Sequence, residues 1–266
     1  MKNNLLRHFE YFDEIYKCLL IASTKIIEIY NDFDQSISYK SDHSPLTQAD
    51  IVSHQLIHKC LSSNSPIPII SEESDQHYTL EKKYWLIDPL DGTKEFVNKN
   101  GEFTINIALI ENEYPVTGFV FSPITQIMYI GGLNKKSFKI QNENITEIFA
   151  SVTRDPIRIV ASKSHLNNET KNYISQFKNY ELIQAGSSIK FCMIAEGLAD
   201  FYPRLAPTSE WDTAAAQAIL EGAGGSVNDL ENKRLSYQKK KYLKPIFYCK
   251  RKINLLTWIF FSIGFF

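Results

Sequence analysis

The chain has 266 residues, with 29 Lys+Arg against 30 Asp+Glu and a formal net charge of −1. Apolar residues at 44 % and charged residues at 22 % suit a globular protein with a sizeable core, and they exclude a strongly charged disordered chain. The balance also excludes a chain basic from end to end, as many nucleic-acid binders are.

Residues 5–30 carry Leu6, Phe9, Ile15, Leu19, Ala22, Ile26 and Ile29 at helical spacing. Residues 31–44 are polar and read as a loop. Thr47 as N-cap, with Asp50 three residues on, resembles a capping box opening a second helix through Leu61. Strands are then predicted at 67–70, 84–87, 103–110, 116–121 and 126–130, an antiparallel meander in which Pro89 ends the pairing of the second. The section from Asp155 alternates: strand 157–160, helix 167–177, strand 180–183, helix 187–196, strand 199–202 and helix 211–221. That last helix is stopped by Gly222-Ala223-Gly224-Gly225. A final strand is expected near 243–249. Layered sheets and helices follow from this order.

Cys18, Cys60, Cys192 and Cys249 are scattered and form no CxxC. They offer neither a disulfide framework nor a zinc pair, so four free thiols and a reducing, cytoplasmic setting are expected. Glu10, Asp13 and Glu14 interrupt the N-terminal apolar residues, so no secretory signal is expected. From Lys239 to Phe266 there are seven basic residues and no acidic ones, leaving 22 basic against 30 acidic elsewhere. Residues 253–266 are almost wholly apolar. As a helix they would span about 21 Å, short of a bilayer core of roughly 30 Å. Two readings stand for this end: peripheral contact with an anionic membrane surface, or an altered reading frame without function.

Trp85-Leu86-Ile87-Asp88-Pro89-Leu90-Asp91-Gly92-Thr93 is the most informative stretch. Two acids three residues apart across a Pro-containing turn can converge on a hard divalent cation, and Gly92 lets a ligand approach the backbone. Solvated acids on a surface turn are the alternative. Ser71-Glu72-Glu73 follows a short apolar strand, and Glu210-Trp211-Asp212 opens an Ala-rich helix, where acids also suit the helix dipole. Three carboxylate clusters, each at the end of a regular element, fit a metal site assembled from distant parts of the chain.

These segments, with 44–50, Gly101-Glu102-Phe103-Thr104-Ile105-Asn106, Gly186-Ser187-Ser188-Ile189-Lys190-Phe191, Tyr202-Pro203-Arg204 and Trp211-Asp212-Thr213-Ala214-Ala215, resemble the inositol monophosphatase superfamily. Lys94-Glu95 and the later Gly-Ser-Ser-Ile-Lys-Phe point to its 3′(2′),5′-bisphosphate nucleotidase branch. The resemblance implies a layered αβαβα sugar-phosphatase fold. One domain would cover 1–252, with a metal-binding lobe over about 1–154 and a substrate lobe over 155–252; the tail 253–266 departs from the pattern. It implies lithium-sensitive hydrolysis of adenosine 3′,5′-bisphosphate to AMP and phosphate, serving sulfur assimilation and nucleotide recycling. Two or three Mg²⁺ ions would be held by Glu72, Asp88, Asp91, Asp212 and the carbonyl of Leu90. Asp50 and Thr93, with Glu72, would activate the attacking water. Leu90, Asp91, Gly92, Thr93 and Asp212 would also face the substrate, with Ser187, Lys190, Arg204 and the base-proximal His165. An ordinary surface charge is the alternative for Lys190 and Arg204.

The partner implied is a small-molecule nucleotide, with no nucleic-acid polymer, and the enzyme as monomer or homodimer. His54 and His58 have HxxxH spacing but lack the Glu of the zinc-protease motif, so two polar-face histidines are favoured. The rival functions are inositol monophosphatase or fructose-1,6-bisphosphatase activity, and a non-catalytic metal- or nucleotide-binding protein.

Overall fold

The computed structural model describes residues 6–32, 38–39, 45–74, 79, 81–150, 155–164, 166–237, 243–244 and 246–251. The readings for His165 and for the tail 253–266 lie outside them. Helix α1 (Phe12–Asn31) begins later than its apolar stripe suggests, because Tyr11 takes a left-handed conformation at φ 59°. The 31–44 segment is not all loop: β1 (Ser38–Tyr39) pairs antiparallel with β2 (Pro45–Leu46). Helix α2 (Gln48–Asn64) follows its predicted capping box.

A seven-stranded sheet comes next: β3 (Ile69–Ser71), β4 (Lys83–Asp91), and, after the short helix α3 (Thr93–Val97), β5 (Thr104–Glu111), β6 (Tyr114–Ser122), β7 (Ile127–Gly131), β8 (Ser137–Gln141) and β9 (Asn144–Ile148). The meander from β4 onward is antiparallel, and β3 joins β4 in parallel. Then come β10 (Ile157–Ser162), α4 (Asn168–Ile174), β11 (Tyr180–Ala185), α5 (Ile189–Ala195), β12 (Phe201–Arg204), β13 (Thr208–Ser209), α6 (Glu210–Gly222), β14 (Gly225–Asp229), β15 (Leu243–Lys244) and β16 (Phe247–Arg251). A five-stranded sheet runs β11-β10-β12-β16-β14.

Burial shows the layers. Ile15, Leu19, Ala22 and Ile26 of α1 pack with Trp85, Ile87, Ile105 and Phe119 on one face of the large sheet. Leu86, Ala108 and Val120 face the other way, onto Ala215 and Ile219 of α6 and Ile194 of α5. Those helices also cover Val227 and Cys249 of the second sheet, whose far side packs Ile159 and Ala161 against Ile174 of α4. This is the expected αβαβα order. Strands buried on both faces explain why their sequences run apolar without alternation. Gly118 is required where β6 meets α6: a Cβ there would stand 2.0 Å from the Ala215 carbonyl oxygen.

Two further expectations fail. Pro89 does not end the strand. Asp88 pairs with Asn106 and Asp91 with Thr104, so β4 has one residue more than β5 across this interval, a bulge. Residues three apart on a regular strand point to opposite faces. The extra residue restores parity, so Asp88 and Asp91 share the α6 face while Leu90 packs on the α1 side. The four-free-thiol expectation also fails. Cys18 of α1 and Cys60 of α2 form a disulfide, with Cα atoms 6.0 Å apart, while Cys192 and Cys249 are free and buried. Spacing of 42 along the chain hid a pair that helix packing brings together. Among the described residues no helix is long and apolar enough to cross a membrane.

Candidate active site

Parallel pairing sets Ser71 beside Ile87, and the Glu72 N–H donates to the Ile87 carbonyl at 3.1 Å. Glu72 therefore leaves β3 next to Asp88. The close approach of α6 brings in Asp212. Oxygens of Glu72, Asp88 and Asp212 lie within 4.8 Å of one another. Asp91 flanks this trio. Its Oδ2 accepts from Ser188 N at 2.6 Å, Asn106 Nδ2 at 3.1 Å and Thr104 Oγ1 at 3.4 Å. Burial, and then the charge of Asp212, push the Asp91 carboxyl up to about 7 against the opposing pull of Lys190. So many acids with so little positive charge fit an all-oxygen cation site.

Asp50 and Asp212 are oriented by the same device. Each stands at the third position of a helix and turns Oδ2 back to the helix start. Asp50 Oδ2 accepts from Thr47 N at 2.8 Å and Thr47 Oγ1 at 2.6 Å. Asp212 Oδ2 accepts from Ser209 N at 3.1 Å and from Thr208 Oγ1. In both residues the capping contacts fall on Oδ2, so the cap does not preclude a second role for the same carboxylate. Thr93 Oγ1 donates to Asp50 Oδ1 at 3.1 Å and lies 3.4 Å from the Leu90 carbonyl. Gly92 takes φ +95°, where a side chain would be strained.

The acids line one side of a cleft of about 310 Å³; Ser187, Lys190, Tyr202 and Arg204 line it too. Lys190 is not a surface charge: it is 4 % exposed. Its ammonium donates to Ser187 O at 2.6 Å and Ala185 O at 3.3 Å, and sits 5.4 Å from the Tyr202 ring centre. Burial brings its pKa down to about 8. Arg204 donates to the carbonyls of Ala206 and Pro207 at 3.3 and 3.1 Å. His54 Nδ1 is 2.9 Å from Ser71 Oγ, and its ring lies 5.7 Å from that of His58, apart from the acid trio.

Thr104, Asn106 and Ser188 were missed as site residues. Ser188 Oγ donates to Asn106 Oδ1 at 2.8 Å and lies 2.9 Å from Thr104 Oγ1, so the three brace Asp91. Two polar residues at alternate positions of an otherwise apolar strand were the available signal.

Residues 10–251 match the family model described as the inositol monophosphatase family. The chain is 42 % identical over 233 residues to the 3′(2′),5′-bisphosphate nucleotidase CysQ of Salmonella typhimurium, covering 85 % of this chain and 94 % of that one. It is 40 % identical to CysQ of Buchnera aphidicola, covering 88 % and 89 %. The crystal structure of CysQ from Bacteroides thetaiotaomicron is similar, with a TM-score of 0.80 and 38 % identity, covering 91 % of this chain and 97 % of that one.

Proposed function

The chain belongs to the inositol monophosphatase family, and on that premise we propose that it hydrolyses the 3′-phosphate of adenosine 3′,5′-bisphosphate to AMP and phosphate. The observation carrying this reading is the cleft, which joins a carboxylate cluster to Lys190 and Arg204 in a chain about 40 % identical to bisphosphate nucleotidases over most of its length.

Glu72, Asp88 and Asp212, with Asp91 and the Leu90 carbonyl, would hold two or three Mg²⁺; the oxygen-only donor set fits that ion. Bound Mg²⁺ neutralises phosphate charge and lowers the pKa of water. Thr93 Oγ1 takes a proton from the attacking water and passes its own to Asp50 Oδ1, the oxygen the helix cap leaves available. Lys190, Arg204 and Ser187 hold the second phosphate, which a monophosphate ester lacks. In this reading the enzyme works in the cytoplasm, as monomer or homodimer, on the ground of its nucleotide substrate and not of its thiols, since Cys18 and Cys60 are bonded.

Phosphate release from adenosine 3′,5′-bisphosphate with Mg²⁺ should exceed that from inositol 1-phosphate and fructose 1,6-bisphosphate in kcat/KM. A reversed order would reassign the substrate within the family, and no release from any would favour the non-catalytic rival.

A further inference from the structure

The cleft holds one more carboxylate, for which the reaction above has no use. Glu95 is 4 % exposed, lines the cleft, and stands on the first turn of α3, two residues after Thr93. Ser164 Oγ donates to its Oε1 at 2.6 Å. Among the described residues this is its one side-chain hydrogen bond, and no cation forms an ion pair with it. Lys190 feels its charge without forming an ion pair with it. Oε2 lies against Gly92, where a Cβ would stand 3.3 Å away, so the glycine gives the carboxylate the room to sit there, and among the described residues no donor hydrogen-bonds this oxygen.

The neighbours fix this arrangement. A Cβ on Gly186 would stand 2.6 Å from Glu95 Cγ, so the loop after β11 presses on its stem. Glu102 Oε2 accepts from Gly186 N at 2.9 Å, and Glu102 Oε1 pairs with Lys163 at 3.1 Å. The loops after β10 and β11 are thus clasped to the α3 segment around Glu95.

A buried carboxylate oxygen needs a donor. The phosphates of a substrate have none to give and repel it. A hydroxyl on the carbon beside the esterified one has a proton to give, and it arrives with the phosphate at Asp91–Thr93. We propose that Glu95 binds the hydroxyl vicinal to the scissile phosphate ester and so selects ribonucleotides over 2′-deoxyribonucleotides. This rests on the bisphosphate nucleotidase reading. Ser164 is the positioning residue that aims the carboxylate.

The test compares adenosine 3′,5′-bisphosphate with 2′-deoxyadenosine 3′,5′-bisphosphate, both with Mg²⁺, in wild type, Glu95→Gln, Glu95→Ala and Ser164→Ala. Wild type should favour the ribonucleotide on the order of ten- to a hundredfold in kcat/KM, mainly through KM. That ratio should fall toward one in both Glu95 variants and drop in part in Ser164→Ala, which keeps the carboxylate should a Glu95 variant fail to fold. A wild-type ratio near one overturns the proposal. So does an unchanged ratio in the folded variants, however far the absolute rates fall. Both results leave the nucleotidase reading standing, whereas turnover of neither substrate by wild type overturns that reading and this one with it.

Discussion

Thr93 Oγ1 and Asp50 Oδ1 stand 3.1 Å apart, each in the first turn of its own helix. The other oxygen of Asp50 is held by Thr47. In the proposed mechanism one carboxylate serves the reaction with one atom and the fold with the other, and substitutions can separate the two.

Asp50→Asn should lower kcat by about 10²–10⁴-fold, the range of general acid–base assistance, and Thr93→Val by a similar factor. Thr47→Ala should instead cost about 1 kcal/mol of stability, roughly 2–4 °C in Tm, with a much smaller kcat change. Steady-state kinetics beside thermal melts read both. Near-normal turnover by Asp50→Asn would remove it from proton transfer.

Chelation should abolish activity, and added Mg²⁺ should restore it. Because Glu72, Asp88 and Asp212 repel one another when empty, a bound ion should raise Tm, with about 2.7 kcal/mol of stabilisation at a hundredfold excess over Kd. Asp88→Asn and Asp212→Asn should each raise the Mg²⁺ concentration for half-maximal activity at least about tenfold. An unshifted metal titration in both would remove them from the ligand set.

Lys190 gives a pH signature. Its pKa is about 8 in the folded protein against an ordinary value of 10.5. Between those values the unfolded chain binds the extra proton, so this group makes stability rise with pH across that window. Substrate binding goes the other way: kcat/KM should fall as pH passes about 8 and the ammonium is lost. Lys190→Met should start lower at neutral pH and lack that fall, as a pH–rate profile would show. A mutant profile with the same alkaline limb would assign it to another group.

The Cys18–Cys60 bond closes a long loop between α1 and α2. Reduction, or paired Cys→Ser replacement, should cost about 2–4 kcal/mol. Thermal melts with and without dithiothreitol measure this. Equal melting temperatures would show that the bond contributes nothing to stability.

Gly118→Ala should destabilise by at least about 1–3 kcal/mol, because the new methyl meets backbone at Ala215. Pushing α6 off the sheet moves Asp212 away from Asp88, so Mg²⁺ affinity should drop together with Tm. A drop in Tm alone would show that the helix start is held independently.

Much of this was legible in sequence. The apolar run 103–110 marked the strand found at Thr104–Glu111, and Thr47 with Asp50 marked the start of α2. Acids at strand and helix ends marked the centre of the site. Pairings between distant parts were not legible. The Cys18–Cys60 contact depends on how two helices cross, and the bulge at Asp88–Asp91 is visible only once β5 supplies a reference register. β8, β9 and β14 were missed; β9, for instance, has only Ile148 fully buried, so its sequence carries little apolar pattern. Lys190 was ambiguous because nothing local distinguishes a buried lysine from a solvated one.

The bulge makes the proposed active site sensitive to counting. Side chains between Asp88 and Asp91 can change in size without altering which way either acid points, since direction is set by the number of residues opposite Asn106 to Thr104. Deletion of Pro89 would leave every proposed metal ligand in the chain, yet would turn Asp88 or Asp91 to the far side of the sheet. This chain could therefore keep Glu72, Asp88, Asp91 and Asp212 and still lose the convergence of their carboxylates.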